Sequence, residues 1–128
     1  MRLLLDTHCV YWMGADPDRL SPVAREAVLD GRNDLLLSVV ATVELALKVS
    51  GGKLRLPRPL PEFLAALQEQ GGMRILPVLQ EHALRTAGLP LLHGDPFDRL
   101  LVAQALCEGV PLVTRDGLLA DYGIHALW

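Results

Sequence analysis

Short apolar runs alternate with longer amphipathic ones along this chain, and the alternation predicts a βα succession. Arg2-Leu3-Leu4-Leu5 reads as a first strand, and Thr7–Met13 as a short helical turn closed by Pro17. Ser21-Pro22 is a strong helix start, with serine as N-cap and proline at the first helical position, and that helix runs to Asp30-Gly31. Leu35-Leu36-Leu37 within Asp34–Ser38 predicts a second strand, and Val40–Val49 a helix ended by Gly51-Gly52. Pro57, Pro59 and Pro61 mark an extended connector. The helix from Pro61 to about Gln70 then carries Phe63, Leu64 and Leu67 on one face and stops at Gly71-Gly72. Met73–Val78 predicts a strand, Glu81–Ala87 a short helix and Gly88–Gly94 a loop. Asp95-Pro96 opens the best-marked helix, Phe97–Cys107, before a strand at Val110–Thr114 and an edge strand at Ile124–Trp128. Continuous apolar strands between helices imply a mostly parallel sheet covered on both faces, so the expected fold is a single α/β domain over residues 1–128 in three layers, α/β/α.

Four acids break this pattern. Asp6 ends the first strand, and Glu44 is the sole acid in the apolar stretch Val40–Val49. Asp98 shares a helix face with Leu101, Val102 and Ala105, and Asp116 follows the run Val110-Pro111-Leu112-Val113-Thr114. Charge at buried positions is costly unless something cationic compensates it. Carboxylates brought together raise one another's pKa values unless a divalent cation neutralises them. In parallel sheets ligands bind beyond the carboxyl ends of the strands, where Asp6 and Asp116 both lie. A hard ion on carboxylate oxygens, and metal-assisted phosphodiester hydrolysis, is the leading chemistry.

Each acid also has a plainer explanation. Asp6 fits an N-cap, Asp95 fits one better, and Asp98 then occupies a first turn whose dipole favours an acid. Asp116-Gly117 is a turn pair. Glu44 has Lys48 four residues on, but such a pair is worth only about 0.2–0.5 kcal/mol, too little to explain a carboxylate among Val40, Val43, Leu45 and Leu47. Together the four persuade because each falls at a strand end or on an inward helix face.

Composition narrows the rest. Net charge is −3, so no global positive field advertises a nucleic-acid binder. Yet Lys48, Lys53, Arg55 and Arg58 fall within eleven residues free of acids, a stretch that would grip phosphates or else be a solvated face. Residues are 51% apolar, high for 128, which asks for a covering partner. Cys9 and Cys107 form no zinc or disulfide framework and read as small buried residues in a reducing compartment. No signal peptide opens the chain and no run approaches the ~20 apolar residues of a membrane span, so a cytoplasmic protein is expected. His8, His82, His93 and His125 lack metal-ligand spacing and read as surface or loop residues, with a supporting role open for His8 and His93 beside Asp6 and Asp95. Nucleophile and glycine-rich phosphate motifs are absent, which removes acyl-transfer, P-loop and dinucleotide readings.

Over essentially its full length the chain resembles the PIN-domain family, within it the VapC-type toxins of bacterial toxin–antitoxin pairs. The resemblance rests on Leu4-Leu5-Asp6-Thr7-His8, on Ser38 with Val43-Glu44-Leu45-Ala46-Leu47-Lys48, and on Lys53-Leu54-Arg55-Leu56-Pro57. It continues through Asp95-Pro96-Phe97-Asp98-Arg99-Leu100-Leu101-Val102-Ala103-Gln104-Ala105, Leu112-Val113-Thr114-Arg115-Asp116 and Leu127-Trp128. Asp-Pro-Phe-Asp-Arg followed by Thr-Arg-Asp at this distance is its specific part. The resemblance implies an acidic site at Asp6, Glu44, Asp98 and Asp116, a divalent-metal ribonuclease, a homodimer, and inhibition by a small antitoxin. On that reading Mg²⁺ or Mn²⁺ would sit on Asp6, Asp98 and Asp116, Glu44 would position or deprotonate the attacking water, and Thr7 and Thr114 would support the carboxylates. Lys53, Arg55 and Arg58 would hold RNA. Related chains often carry Trp before the glutamate where this one has Val43, a difference of packing more than of chemistry. The rivals are a DNA or flap nuclease with the same acids, and a non-catalytic α/β interaction module whose acids bind a partner's arginines.

Overall fold

The computed structural model describes every residue, Met1–Trp128. Strands β1 (Arg2–Leu5), β2 (Asp34–Ser38), β3 (Arg74–Leu76), β4 (Leu112–Val113) and β5 (Ala126–Leu127) form one sheet in the order β3-β2-β1-β4-β5. All pairings are parallel, which sharpens the expected mostly parallel sheet. Helices α1 (Thr7–Ala15), α2 (Pro22–Leu29), α3 (Val39–Ser50), α4 (Leu60–Gln70), α5 (Gln80–Ala87) and α6 (Pro96–Glu108) cover it, with 3-10 turns at Pro17–Arg19 and Gly117–Tyr122.

The two-residue period of a strand sends alternate leucines to opposite faces. Leu3, Leu5, Leu35 and Leu37 join Cys9, Val10, Ala41, Leu45, Phe63 and Leu67 in one core. Leu4, Leu36 and Leu112 join Leu101, Val102, Ala105 and Leu119 in the other. The three layers follow from that split. Helix α1 runs two residues beyond Met13, to Ala15, and Gly14 lets it lie against α4: a Cβ there would stand 2.5 Å from the Phe63 ring. No helix is long and apolar enough to cross a membrane.

The strand order decides where a ligand goes. From β1 the chain builds outward through β2 to β3, then returns to the opposite side of β1 to lay down β4 and β5. The order therefore reverses between β1 and β4. Loops beyond the carboxyl ends of those two strands leave in opposite directions and open a crevice between them. Asp6 is the first residue after β1, and its N–H donates to the carbonyl of Val113 at the end of β4 (3.0 Å).

Candidate active site

Asp6, Asp98 and Asp116 line one cleft of about 380 Å³ at this crevice, together with His8, Trp12 and Arg115. Each acid is held by its own element. Asp6 caps α1: Oδ1 accepts from the Cys9 N–H (2.9 Å), and Oδ2 accepts from the Thr114 hydroxyl (2.5 Å). That hydroxyl oxygen in turn accepts from the Asp116 N–H (3.0 Å), so one threonine ties the ends of β1 and β4 together. Asp116 caps the 3-10 turn that follows, through Oδ1 and the Leu118 N–H (3.0 Å). Asp95 caps α6, accepting from Phe97 and Asp98 (2.8 and 3.4 Å), and the cap aims Asp98 at the cleft from the first turn. The structural role expected of Asp95 holds, and its charge also bears on Asp98.

Glu44 stands apart from this trio. It is buried, 7% exposed, with Oε1 accepting from the Thr7 hydroxyl (2.7 Å) and Oε2 paired to Lys48 (2.9 Å). The helical ion pair weighed for it is present, and its charge makes a small contribution at Asp98. Val43, one residue before it, is 44% exposed.

Burial, and then repulsion from Asp95 with smaller parts from Glu44 and Asp6, push the Asp98 carboxyl from 3.8 up to about 6. His93 opposes them. A carboxylate whose ionised form is disfavoured by burial and like charge is one that a bound cation would stabilise.

The model of the PIN domain matches residues 3–124. The chain belongs to the PIN-domain family. Ribonuclease VapC22 of Mycobacterium tuberculosis is 33% identical over 121 residues, 94% of this chain and 91% of the relative, which makes this PIN domain one of the VapC type. Among solved structures, VapBC2 from Rickettsia felis bound to a DNA fragment from their promoter shares the fold, with a TM-score of 0.73 at 18% identity over 98% of this chain and 97% of that one. FitAcB from Neisseria gonorrhoeae gives a TM-score of 0.63 at 26% identity over 97% and 95% of the two chains.

His82 of this PIN domain is not the surface or loop residue expected, and His93, on its expected loop, takes the supporting position left open for it. His82 is fully buried, its Nδ1 accepting from the Leu79 N–H (3.0 Å) and its Nε2 facing Glu108 (3.1 Å). His93 lies in the acidic site, with Nε2 3.2 Å from Asp116 and 3.5 Å from Asp98. Its ligand atom and those of the two acids lie within 4.8 Å of one another, and Asp6 lines the cleft outside that tight group. Local spacing gives no hint of this, because the loop reaches Asp116 only once β4 is docked beside β1. Arg115 was legible as part of a motif, and its exposed position on the cleft is what the fold adds.

Of the cysteines, Cys9 is buried and Cys107 only half-buried, and both are free. Burial first, then the adjacent Asp6, push the Cys9 thiol far up, so it is no nucleophile. Lys53, Arg55 and Arg58 are all exposed and pair with no acid. They lie outside the acidic cleft, and Arg55 and Arg58 line a neighbouring groove with Leu54, Leu56 and Leu60.

Proposed function

We propose that this PIN domain is a divalent-metal-dependent endoribonuclease, the toxin of a toxin–antitoxin pair, which hydrolyses RNA phosphodiester bonds at Asp6, Glu44, Asp98 and Asp116. The observation that carries the reading is the convergence of Asp6, Asp98 and Asp116, from three separate elements, on one cleft at the point where the strand order reverses. The 33% identity to a ribonuclease supports RNA as the substrate class.

The donor set fits a hard cation. The cleft offers carboxylate oxygens, and Asp98 is destabilised as an anion. Mg²⁺ or Mn²⁺ on Asp6, Asp98 and Asp116 removes that penalty. When bound, such an ion lowers the pKa of water and offsets charge on the phosphoryl oxygens. The remaining work belongs to the chain. Thr114 fixes the Asp6 carboxylate through its hydroxyl, and Thr7 fixes that of Glu44. Glu44 positions or deprotonates the attacking water. Arg115 on the cleft wall meets the phosphate, and Lys53, Arg55 and Arg58 hold the strand further out.

A homodimer and a small antitoxin complete the proposal. A metal-free acidic cleft suits an arginine fork, and Val43 and Leu47, 44% and 57% exposed on α3 beside Glu44, suit an amphipathic partner helix.

The test uses EDTA-stripped protein with labelled RNA and DNA of one sequence, then adds Mn²⁺ or Mg²⁺. RNA should be cut only with metal, and Asp98→Asn should not cut it. RNA cleavage in EDTA would overturn the metal assignment. Equal cleavage of DNA would point to a general nuclease, and no cleavage of either to a binding module. Expressed alone in bacteria, the wild type should arrest growth and Glu44→Ala at a matched soluble level should not.

A further inference from the structure

We propose that His93 is a positioning residue for the acidic site: an imidazole whose Nε2–H holds the Asp116 carboxylate beside that of Asp98, where a divalent cation would take both. The inference rests on the metal-nuclease reading above. Its basis is a proton assignment that the geometry makes. His93 Nδ1 lies 3.1 Å from the Asp95 N–H, which can only donate, so Nδ1 accepts and carries no proton. The ring proton is then on Nε2. That nitrogen stands 3.2 Å from Asp116 Oδ2, a hydrogen bond, and 3.5 Å from Asp98 Oδ2, close but not hydrogen-bonded.

The same assignment decides against the obvious alternative. Three ligand-type side chains so close together look like a mixed nitrogen–oxygen metal triad. For Nε2 to ligate, the proton would have to move to Nδ1, where it would face the Asp95 N–H donor to donor. In this arrangement His93 holds the ligands and is not one of them. Asp116 is fixed from both sides, Oδ1 by the Leu118 N–H and Oδ2 by His93, and each oxygen keeps a lone pair for an ion.

The clamp has a rigid mount. Arg99 of α6 donates through Nη1 to the Pro90 carbonyl (2.8 Å) and through Nη2 to the Thr86 carbonyl near the end of α5 (3.1 Å), tying down the loop that carries His93. Arg99 and Asp95 thus serve the site without touching it. Groups that orient a metal's carboxylates in this way are typically worth about 10–100-fold in metal affinity.

Three substitutions separate the donor from the loop. His93→Asn keeps an oxygen where Nδ1 accepts from Asp95 but is too short to reach Asp116. His93→Gln extends an amide N–H to the place of Nε2, and His93→Ala removes everything. Mn²⁺ binding is measured by calorimetry on the full chain at pH 7.5, beside wild type and Asp116→Asn, with thermal midpoints taken in EDTA. The alanine and asparagine variants should bind about 10–100-fold more weakly, and glutamine should recover much of the loss. Cleavage by the weak variants should return at saturating Mn²⁺. Wild-type affinity in His93→Asn overturns the clamp, and so does a glutamine variant no better than asparagine. In either case, loss of binding in Asp116→Asn leaves the metal-site reading standing. A wild type that binds no Mn²⁺ brings down that reading and the clamp with it.

Discussion

Asp98 ionises against its surroundings even though it sits in the first turn of α6, where the helix dipole favours an acid by about 0.3–1 kcal/mol. Burial and neighbouring carboxylates outweigh the dipole and raise its pKa from 3.8 to about 6. The consequence for stability has a definite sign. Between those values the folded chain holds more protons than the unfolded one, so stability falls as pH rises through the window, and the penalty is complete above it. Metal-free Asp98→Asn should therefore melt higher than wild type at pH 7, and the margin should vanish near pH 4. Thermal unfolding in EDTA across that range measures it; a margin independent of pH would show that the charge is not what strains the site. Mg²⁺ or Mn²⁺ should raise the wild-type midpoint and leave the variant's unchanged. The four acids were legible in the sequence because each interrupts an apolar pattern. His93 was legible only as a neighbour of Asp95, because nothing in Leu91-Leu92-His93-Gly94 points to Asp116 until β4 brings that residue to it.

Helix α6 shows how an element's own stability device tunes the site. Asp95 caps the helix through two backbone N–H groups and is, after burial, the largest cause of the raised Asp98 pKa. Asparagine caps about as well as aspartate, whereas alanine costs about 1 kcal/mol. Asp95→Asn should keep the cap and let Asp98 ionise at lower pH, so the metal-free thermal midpoint at pH 7 should rise, if less than in Asp98→Asn. The pH at which Mn²⁺ affinity begins to fall should then move down, as calorimetry between pH 5 and 8 would read. An unchanged profile would mean that Asp95 acts on the site only as a cap. Caps of this kind are what made the elements readable: Ser21-Pro22 and Asp95-Pro96 start α2 and α6 as their chemistry predicts. Strands β1 and β2 were readable from uninterrupted leucines. The 3-10 turn Gly117–Tyr122 was not, because its start is set by Asp116 capping Leu118 and its packing by Leu119 and Tyr122 in the far core. Nor does the apolar run Val110–Thr114 reveal that only Leu112–Val113 pair as strand, while Thr114 turns its hydroxyl to Asp6.

Across the whole molecule, charge of opposite sign is segregated over a short distance. The chain carries −3 overall, and its acids meet at the β1–β4 crevice. The basic loop is anchored near them, since the Tyr11 hydroxyl of α1 donates to the Arg55 carbonyl (3.2 Å). Tyr11 lies five residues along the helix that Asp6 caps, roughly 7.5 Å of rise, so Lys53, Arg55 and Arg58 stand within a few nucleotides' reach of the cleft. An acidic cleft repels a phosphate chain until an ion enters it. A separate cationic surface therefore has to supply the attraction, and these unpaired side chains are free to do so. Each phosphate neutralised on a single strand contributes about 0.7 to the slope of log affinity against log salt. Replacing all three by alanine should lower that slope by about 2 and weaken RNA binding most at low salt. The rate at saturating RNA should change little, because the replaced groups lie outside the acidic cleft. Arg115→Ala makes the contrast: as a residue of the cleft wall it should lower the saturated rate as well as affinity. Fluorescence anisotropy from 50 to 300 mM salt, in Ca²⁺ to hold back cleavage, reads the slope, and single-turnover cleavage in Mn²⁺ reads the rate. A triple variant with the wild-type slope would move the phosphate grip off this loop and leave Arg115 as the contact to test next.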